Sequence, residues 1–85
     1  MQILIIEDDI EAASFLLKAF VEAGHNPTHA ADGENGHHLA STGEYDVLIV
    51  DRMLPKLDGL SILKKLRDAG DSTPALILSA LGEVD

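Results

Sequence analysis

The stretch VLIVD at residues 47–51 decides the fold, because four apolar side chains in a row lead directly to an acid. Similar apolar runs occur at residues 3–6 (ILII) and 75–78 (ALIL), with a weaker one at residues 27–30 (PTHA). A continuous apolar run is typical of a strand covered on both faces, as in a parallel sheet, although a short run alone could also be buried helix. We predict four short parallel strands from these runs.

Segments with a helical period separate the four runs. Residues 9–23 place apolar side chains on one face, and residues 34–42 and 59–69 form two further helical segments. The apolar residues of the first segment are Ala13, Leu16, Leu17 and Phe20, and those of the third are Leu60, Leu63 and Leu66. The glycines that predict where the helices end are Gly24, Gly43 and Gly70. Because crossovers between parallel strands are right-handed, this alternation predicts a parallel α/β sheet.

The composition excludes several classes of function. A chain of 85 residues with only 4% aromatic residues forms one small domain, whose core must come from aliphatic side chains. Its net charge of -9 repels phosphate backbones and anionic membranes, so we expect this segment to bind neither nucleic acid nor a membrane. The chain has no cysteine and no signal peptide pattern, which makes the cytoplasm the expected location.

Acidic residues follow the apolar runs where open α/β sheets bind ligands, beyond the carboxyl ends of the strands. Glu7 and Asp8 follow the first run, Asp51 follows the third and Ser79 follows the fourth. If the first and third strands are neighbours, the three carboxylates converge and repel one another, and Mg2+ would relieve that repulsion. The competing interpretation is that the acids after the first run only cap the next helix, which is what we expect of Asp9.

Four sequence elements together resemble the receiver domain of bacterial two-component response regulators, in the subgroup usually followed by a winged-helix DNA-binding domain. They are ILIIEDD at 3–9, AADG at 30–33, YDVLIVDRMLPKLDG at 45–59 and PALILSA at 74–80. The elements cover the chain almost from end to end, and their combination is specific where each alone would be weak. The resemblance implies a flavodoxin-like parallel sheet of strand order 2-1-3-4 with helices on both faces.

The resemblance also implies the chemistry of the site. Asp51 is expected to accept a phosphoryl group from a sensor histidine kinase in a Mg2+-dependent reaction, and so to control a downstream, transcriptional output. The hydroxyl of Ser79 is expected to bind the phosphoryl oxygens. Phosphoryl transfer depends mainly on positioning and charge neutralisation, which such a site can provide. A module of this kind phosphorylates itself from a donor and is not a turnover enzyme.

Further residues take their expected roles from the same resemblance. The expected oxygen ligands of Mg2+ are Glu7, Asp8, Asp51 and, through its backbone carbonyl, Met53. Pro55 and Gly59 are expected to shape the loop after Asp51, since proline fixes φ and glycine permits a close or left-handed backbone.

The chain departs from the family pattern at its carboxyl end. The family has a fifth strand carrying a lysine that pairs with the phosphoryl group, followed by further helical structure. We therefore interpret residues 1–85 as the N-terminal part of a receiver, lacking the fifth strand and last two helices. Without that lysine a charge-assisted contact to the phosphoryl oxygens would be lost. A second hypothesis is therefore open, in which the chain is not phosphorylated and self-associates through its exposed last strand.

Two other interpretations are disfavoured. A phosphohydrolase of the haloacid dehalogenase type also uses an aspartyl nucleophile, but it needs a second acid two residues later, where this chain has Met53. A histidine metal site is disfavoured because His37 and His38 are adjacent and diverge by about 100° on a helix. We expect His25 and His29, on or beside the weak second strand, to be surface residues.

Overall fold

The computed structural model of the chain describes residues 1–51, 54 and 58–78. Strands and helices alternate through this part of the chain in the order β1 (Gln2–Ile6), α1 (Ile10–Glu22), β2 (Asn26–Ala30), α2 (Gly33–Thr42), β3 (Val47–Asp51), α3 (Gly59–Asp68) and β4 (Ala75–Leu78). Every predicted strand and helix is present, and none of the predicted bounds is wrong by more than one residue.

The four strands form one parallel sheet in the order β2-β1-β3-β4, so the predicted flavodoxin-like order is confirmed. The register pairs Ile6 of β1 with Val50 of β3 and with Ala30 of β2. Glu7 and Asp51 are the next residues along these two neighbouring strands, so the sheet order brings them to the same edge.

The core lies on both faces of the sheet, which explains why the central strands are apolar without interruption. Each residue from Ile3 to Ile6 is exposed by 1% or less. On one face Leu4, Ile6, Leu48 and Val50 pack with α2 and α3, whereas Ile3, Ile5 and Ile49 face Leu16, Leu17 and Phe20 of α1 on the other. Full burial of each large aliphatic side chain contributes roughly 1.5 to 3 kcal/mol, so β1 anchors both layers.

Leu60, one of the apolar residues that indicate the third helix, is 49% exposed. Ile62 and Leu66 are the fully buried residues of α3, and Leu63 packs beside them. The helix begins at buried Gly59, and positions three and seven residues later return to the same face. Leu60 is rotated by about 100° from Gly59, which turns it to solvent.

An aspartate caps each of the three helices in the described part of the chain. The Asp9 carboxylate accepts hydrogen bonds from the amides of Glu11 and Ala12, at 3.0 and 3.4 Å. Asp32 accepts from the Asn35 amide at 2.8 Å, and Asp58 accepts from the Ser61 amide at 2.9 Å. The predicted capping role of Asp9 is confirmed.

Close packing of α2 against β1 fixes the strand whose end carries Glu7. A Cβ atom added at Gly36 would lie 2.7 Å from the side chain of Ile6, which is closer than side-chain atoms pack. Glycine at this position therefore lets the helix backbone approach the strand directly. None of the helices in residues 1–51 and 58–78 combines the length and apolar character that a bilayer crossing requires.

The loop between α3 and β4 is held by Arg67 and Asp71. The Arg67 guanidinium donates to the backbone carbonyls of Asp71 and Thr73, at 2.9 and 2.8 Å. The Asp71 carboxylate accepts from both the hydroxyl and the amide of Thr73, and these two hydrogen bonds, together with the charge of Arg67, lower the pKa of Asp71. These bonds direct the chain into β4, after which Ser79 follows in the sequence.

Candidate functional site

Three carboxylates meet at the carboxyl edge of the sheet. Glu7 and Asp8 follow β1, and Asp51 is the last residue of β3. One carboxylate oxygen from each residue lies within 4.8 Å of the other two. Because β1 and β3 are neighbours, the condition on which the sequence argument rested is met, and residues 44 positions apart share one site.

The three acids differ in their exposure to solvent. Glu7 is only 7% exposed, Asp51 is half-buried and Asp8 is exposed. Their carboxylates therefore form a pocket that is closed at Glu7 and open at Asp8.

Hydrogen bonds on three sides hold Glu7 in place. Its amide donates to the carbonyl of Ala30 at 3.0 Å, and its Oε2 accepts from the Asp9 amide at 3.0 Å. Its backbone carbonyl lies 2.7 Å from Nε2 of His29. The backbone of Glu7 is thus held by β2, and its carboxylate is held by the start of α1.

The pKa of Glu7 is raised from 4.5 to about 7. The largest cause is burial, which disfavours the charged form; a hydrogen bond to Asp51 and the charges of Asp51 and Asp8 raise the pKa further. The hydrogen bond from the Asp9 amide acts in the opposite direction, because it stabilises the carboxylate. The protonated form of Glu7 donates the hydrogen bond to Asp51.

The donor set fits a hard divalent cation. All the converging ligands are carboxylate oxygens, which Mg2+ prefers, and Asp8 is exposed enough to leave coordination positions to water. Burial and, to a smaller extent, the charges of Asp51 and Asp8 disfavour the ionised form of Glu7, and a bound cation would stabilise that form. The residues present are therefore compatible with Mg2+.

Several predicted site residues lie outside the described part of the chain, namely Met53, Pro55 and Ser79. Gly59 differs from the expectation for a loop glycine, because it is the buried first residue of α3 and follows the cap residue Asp58. Its backbone is helical and does not form a left-handed turn.

His29 is the residue near the site that sequence reasoning missed. It was expected to be a surface residue of the second strand, whereas it is half-buried with its ring against the Glu7 carbonyl. The available signal was its position on β2 one residue before the strand ends, next to the strand that leads to Glu7. The weak apolar character of β2 obscured that signal.

Comparisons with known proteins agree with this geometry. Residues 3–85 match the family model of the response regulator receiver domain. The probable transcriptional regulatory protein SilR of Salmonella typhimurium is 48% identical over 85 residues, which are 100% of this chain and 37% of SilR. The receiver domain of the Francisella response regulator 1452 is 42% identical with a TM-score of 0.91, over 98% of this chain and 69% of that one.

A further solved structure is similar to this chain at lower identity. It is the receiver domain of the sensor histidine kinase PA1611 from Pseudomonas aeruginosa, with a magnesium ion coordinated in its active site cleft. The identity is 26% and the TM-score 0.87, over 98% of this chain and 70% of that one. Together with the family match over almost the whole sequence, these similarities show that the chain belongs to the response regulator receiver domain family, whose members are signalling modules rather than turnover enzymes.

Proposed function

We propose that this chain accepts a phosphoryl group on Asp51 from a sensor histidine kinase, in a reaction that requires Mg2+, and that phosphorylation controls a transcriptional output. The observation that carries the proposal is the convergence of Glu7, Asp8 and Asp51 within 4.8 Å at the open edge of the sheet. Receiver family membership and the similarity to SilR support it.

Asp51 is the best acceptor of the three acids. The Glu7 carboxylate is buried and one of its oxygens already accepts a hydrogen bond from Asp9, which disfavours attack on an incoming phosphorus. Asp8 is exposed and suits a cation that keeps part of its water shell. Asp51 is half-buried between them, at the end of a rigid strand that fixes its direction.

The transfer step needs little covalent chemistry from the protein. An oxygen of Asp51 forms a bond to phosphorus while the bond from phosphorus to the donor histidine nitrogen breaks, and the imidazole leaves with the electron pair. Glu7, Asp8, Asp51 and the backbone carbonyl of Met53 would hold Mg2+, which neutralises charge on the phosphoryl oxygens when bound. The Ser79 hydroxyl would donate to one of those oxygens.

Intact-mass spectrometry tests the proposal directly. The purified chain is incubated with acetyl phosphate in the presence of Mg2+ or of a chelator, and its mass is followed over time. We expect the gain of one phosphoryl group only with Mg2+. No gain in a sample whose circular dichroism shows a folded chain would refute phosphoryl acceptance by this chain.

A second candidate function rests on β4. Within the described residues this strand pairs with β3 alone, and its Leu76 is 55% exposed. An apolar edge strand of this kind can pair with a strand of another chain. Self-association through β4 predicts sedimentation that depends on protein concentration and is suppressed by Leu76→Lys. A monomer at all concentrations would exclude it.

A further inference from the structure

We propose that His29 is a positioning residue of the acidic pocket, which orients the Glu7–Asp8 peptide by donating a hydrogen bond from Nε2 to the Glu7 carbonyl. The distance between these two atoms is 2.7 Å. The inference rests on the proposed function in so far as the pocket is a Mg2+ site. It assigns a role to a side chain on β2, a strand that supplies none of the proposed ligands.

The chemistry of the two groups defines the direction of the hydrogen bond. A backbone carbonyl can only accept, so Nε2 must carry the hydrogen. A distance of 2.7 Å is at the short end of the range for such bonds, and the half-buried position of His29 limits competition from water. The bond therefore connects the second strand to the end of the first.

Rigidity of the peptide unit transmits this contact to both acids. The peptide between Glu7 and Asp8 is planar, so fixing its carbonyl also fixes the direction of the Asp8 amide. The neighbouring constraints act on either side: the Glu7 amide donates to Ala30, and the Asp9 amide donates to the Glu7 side chain. His29 constrains the peptide between these two anchor points, beyond the last paired residue of β1.

Orientation matters here because the two side chains must approach the same point in space. Glu7 and Asp8 are consecutive, and in an extended strand consecutive side chains point to opposite faces. Their carboxylates nevertheless lie within 4.8 Å of each other and of Asp51, and the backbone bends at Asp8, in a turn that follows β1. A hydrogen bond to the carbonyl at that turn selects the conformation in which the two carboxylates converge.

Matched variants separate positioning from simple packing. His29→Leu removes the donor and keeps an apolar side chain of moderate size, whereas His29→Gln retains an N–H donor close to the position of Nε2. His38→Leu, on the exposed side of α2, controls for the loss of a histidine. Mg2+ affinity is measured by calorimetric titration, and exchange of the Asp9 amide hydrogen is measured by NMR without a divalent cation.

The expected result is a loss of Mg2+ affinity of about tenfold in His29→Leu, as for other residues that orient metal ligands, and near-normal affinity in His29→Gln and His38→Leu. The Asp9 amide should also exchange faster in His29→Leu, while the Asn35 amide, which bonds to Asp32 in the equivalent cap of α2, should not change. If His29 had a purely structural role, His29→Leu would lower the overall stability, and the amide hydrogens of Asp9 and Asn35 would both exchange faster.

The outcomes distinguish this inference from the proposed function. Normal Mg2+ affinity and normal Asp9 exchange in His29→Leu would overturn the positioning role and leave phosphoryl acceptance intact. If the unmodified chain binds no Mg2+ but Asp9 exchange still responds to His29→Leu and is rescued by His29→Gln, the positioning role stands and the Mg2+ site is refuted. Failure of His29→Gln to restore either property would also contradict the inference.

Discussion

Two groups of acids in this chain share the same side-chain chemistry and have opposite electrostatic surroundings. The capping acids are Asp9, Asp32 and Asp58, and the pocket acids are Glu7, Asp8 and Asp51. Each capping acid accepts backbone N–H groups at the positive end of a helix, which stabilises its negative charge. Each pocket acid has an oxygen within 4.8 Å of the other two carboxylates, and at Glu7 these neighbours add to the effect of burial in raising the pKa.

The contrast teaches that the whole surroundings of an acid decide its role: the capping acids face helix amides, whereas the pocket acids face one another, although Glu7 also accepts from the Asp9 amide. Asp9 and Asp8 are neighbours in sequence, yet the first caps α1 and the second belongs to the pocket. The cap stabilises the protein without a ligand. In the proposed function a cation would compensate the charge that the three pocket acids bring together.

Replacement of the proposed acceptor should have the largest effect. In Asp51→Asn we expect phosphorylation by acetyl phosphate to fall by at least about 100-fold, because the amide lacks the nucleophilic oxygen. The capping variant Asp32→Asn should be phosphorylated normally, since asparagine also caps helices well. Intact-mass spectrometry measures both. A phosphoryl group on Asp51→Asn would show that another residue is the acceptor.

Replacement of Asp8 or of its neighbour Asp9 by asparagine should distinguish the pocket acids from the capping acids. Asp8→Asn should weaken Mg2+ binding by about 100-fold, or about 2.7 kcal/mol, because a charged oxygen ligand is lost. Asp9→Asn retains a capping side chain and the amide that bonds Glu7, so its Mg2+ affinity should remain within about threefold. Calorimetric titration of the two variants provides the comparison. Equal losses of Mg2+ affinity in the two variants would contradict the roles of Asp8 as a ligand and Asp9 as a cap.

The raised pKa of Glu7 predicts a dependence of stability on pH in the absence of Mg2+. Folded Glu7 has a pKa of about 7 and the ordinary value is 4.5, so the folded chain binds more protons than the unfolded chain between these values. Stability therefore decreases as pH rises through this window, by about 3 kcal/mol in all, and levels off above it. Bound Mg2+ should oppose the decrease, because it favours the ionised carboxylate.

Urea unfolding between pH 5 and pH 8 measures this dependence, with Glu7→Gln as the control. The amide does not titrate, so the variant should lose most of the decrease while other carboxylates contribute equally to both chains. Identical pH profiles for Glu7→Gln and the unmodified chain would contradict a raised pKa at Glu7.

Loss of a helix cap should have the smallest effect, and it should change stability without changing Mg2+ affinity. Asp32→Ala removes the acceptor of the Asn35 amide and should lower the free energy of unfolding by about 1 kcal/mol. Its Mg2+ affinity should not change, because Asp32 is not among the converging carboxylates. A large change in Mg2+ affinity would indicate that the metal site includes Asp32 at the start of α2.

Much of the fold was predictable because its signals are local. Strand positions follow from unbroken apolar runs, and the helices follow from their period and from the glycines after them; Gly24 and Gly70 have φ values of 91° and 90°. The sequence does not show that Leu60 is exposed, because a short helix can place either of two adjacent apolar rows against a sheet. Only contact with the sheet selects the row that contains Ile62.

The sequence by itself determined the elements, their order and the acids that follow β1 and β3, since these depend on residues a few positions apart. Tertiary structure decided which strands are neighbours, how deeply Glu7 is buried and that His29 reaches its carbonyl. The physical reason is that burial and charge interactions sum over atoms brought together from distant segments. Asp51 acquires its partners only when β3 lies beside β1.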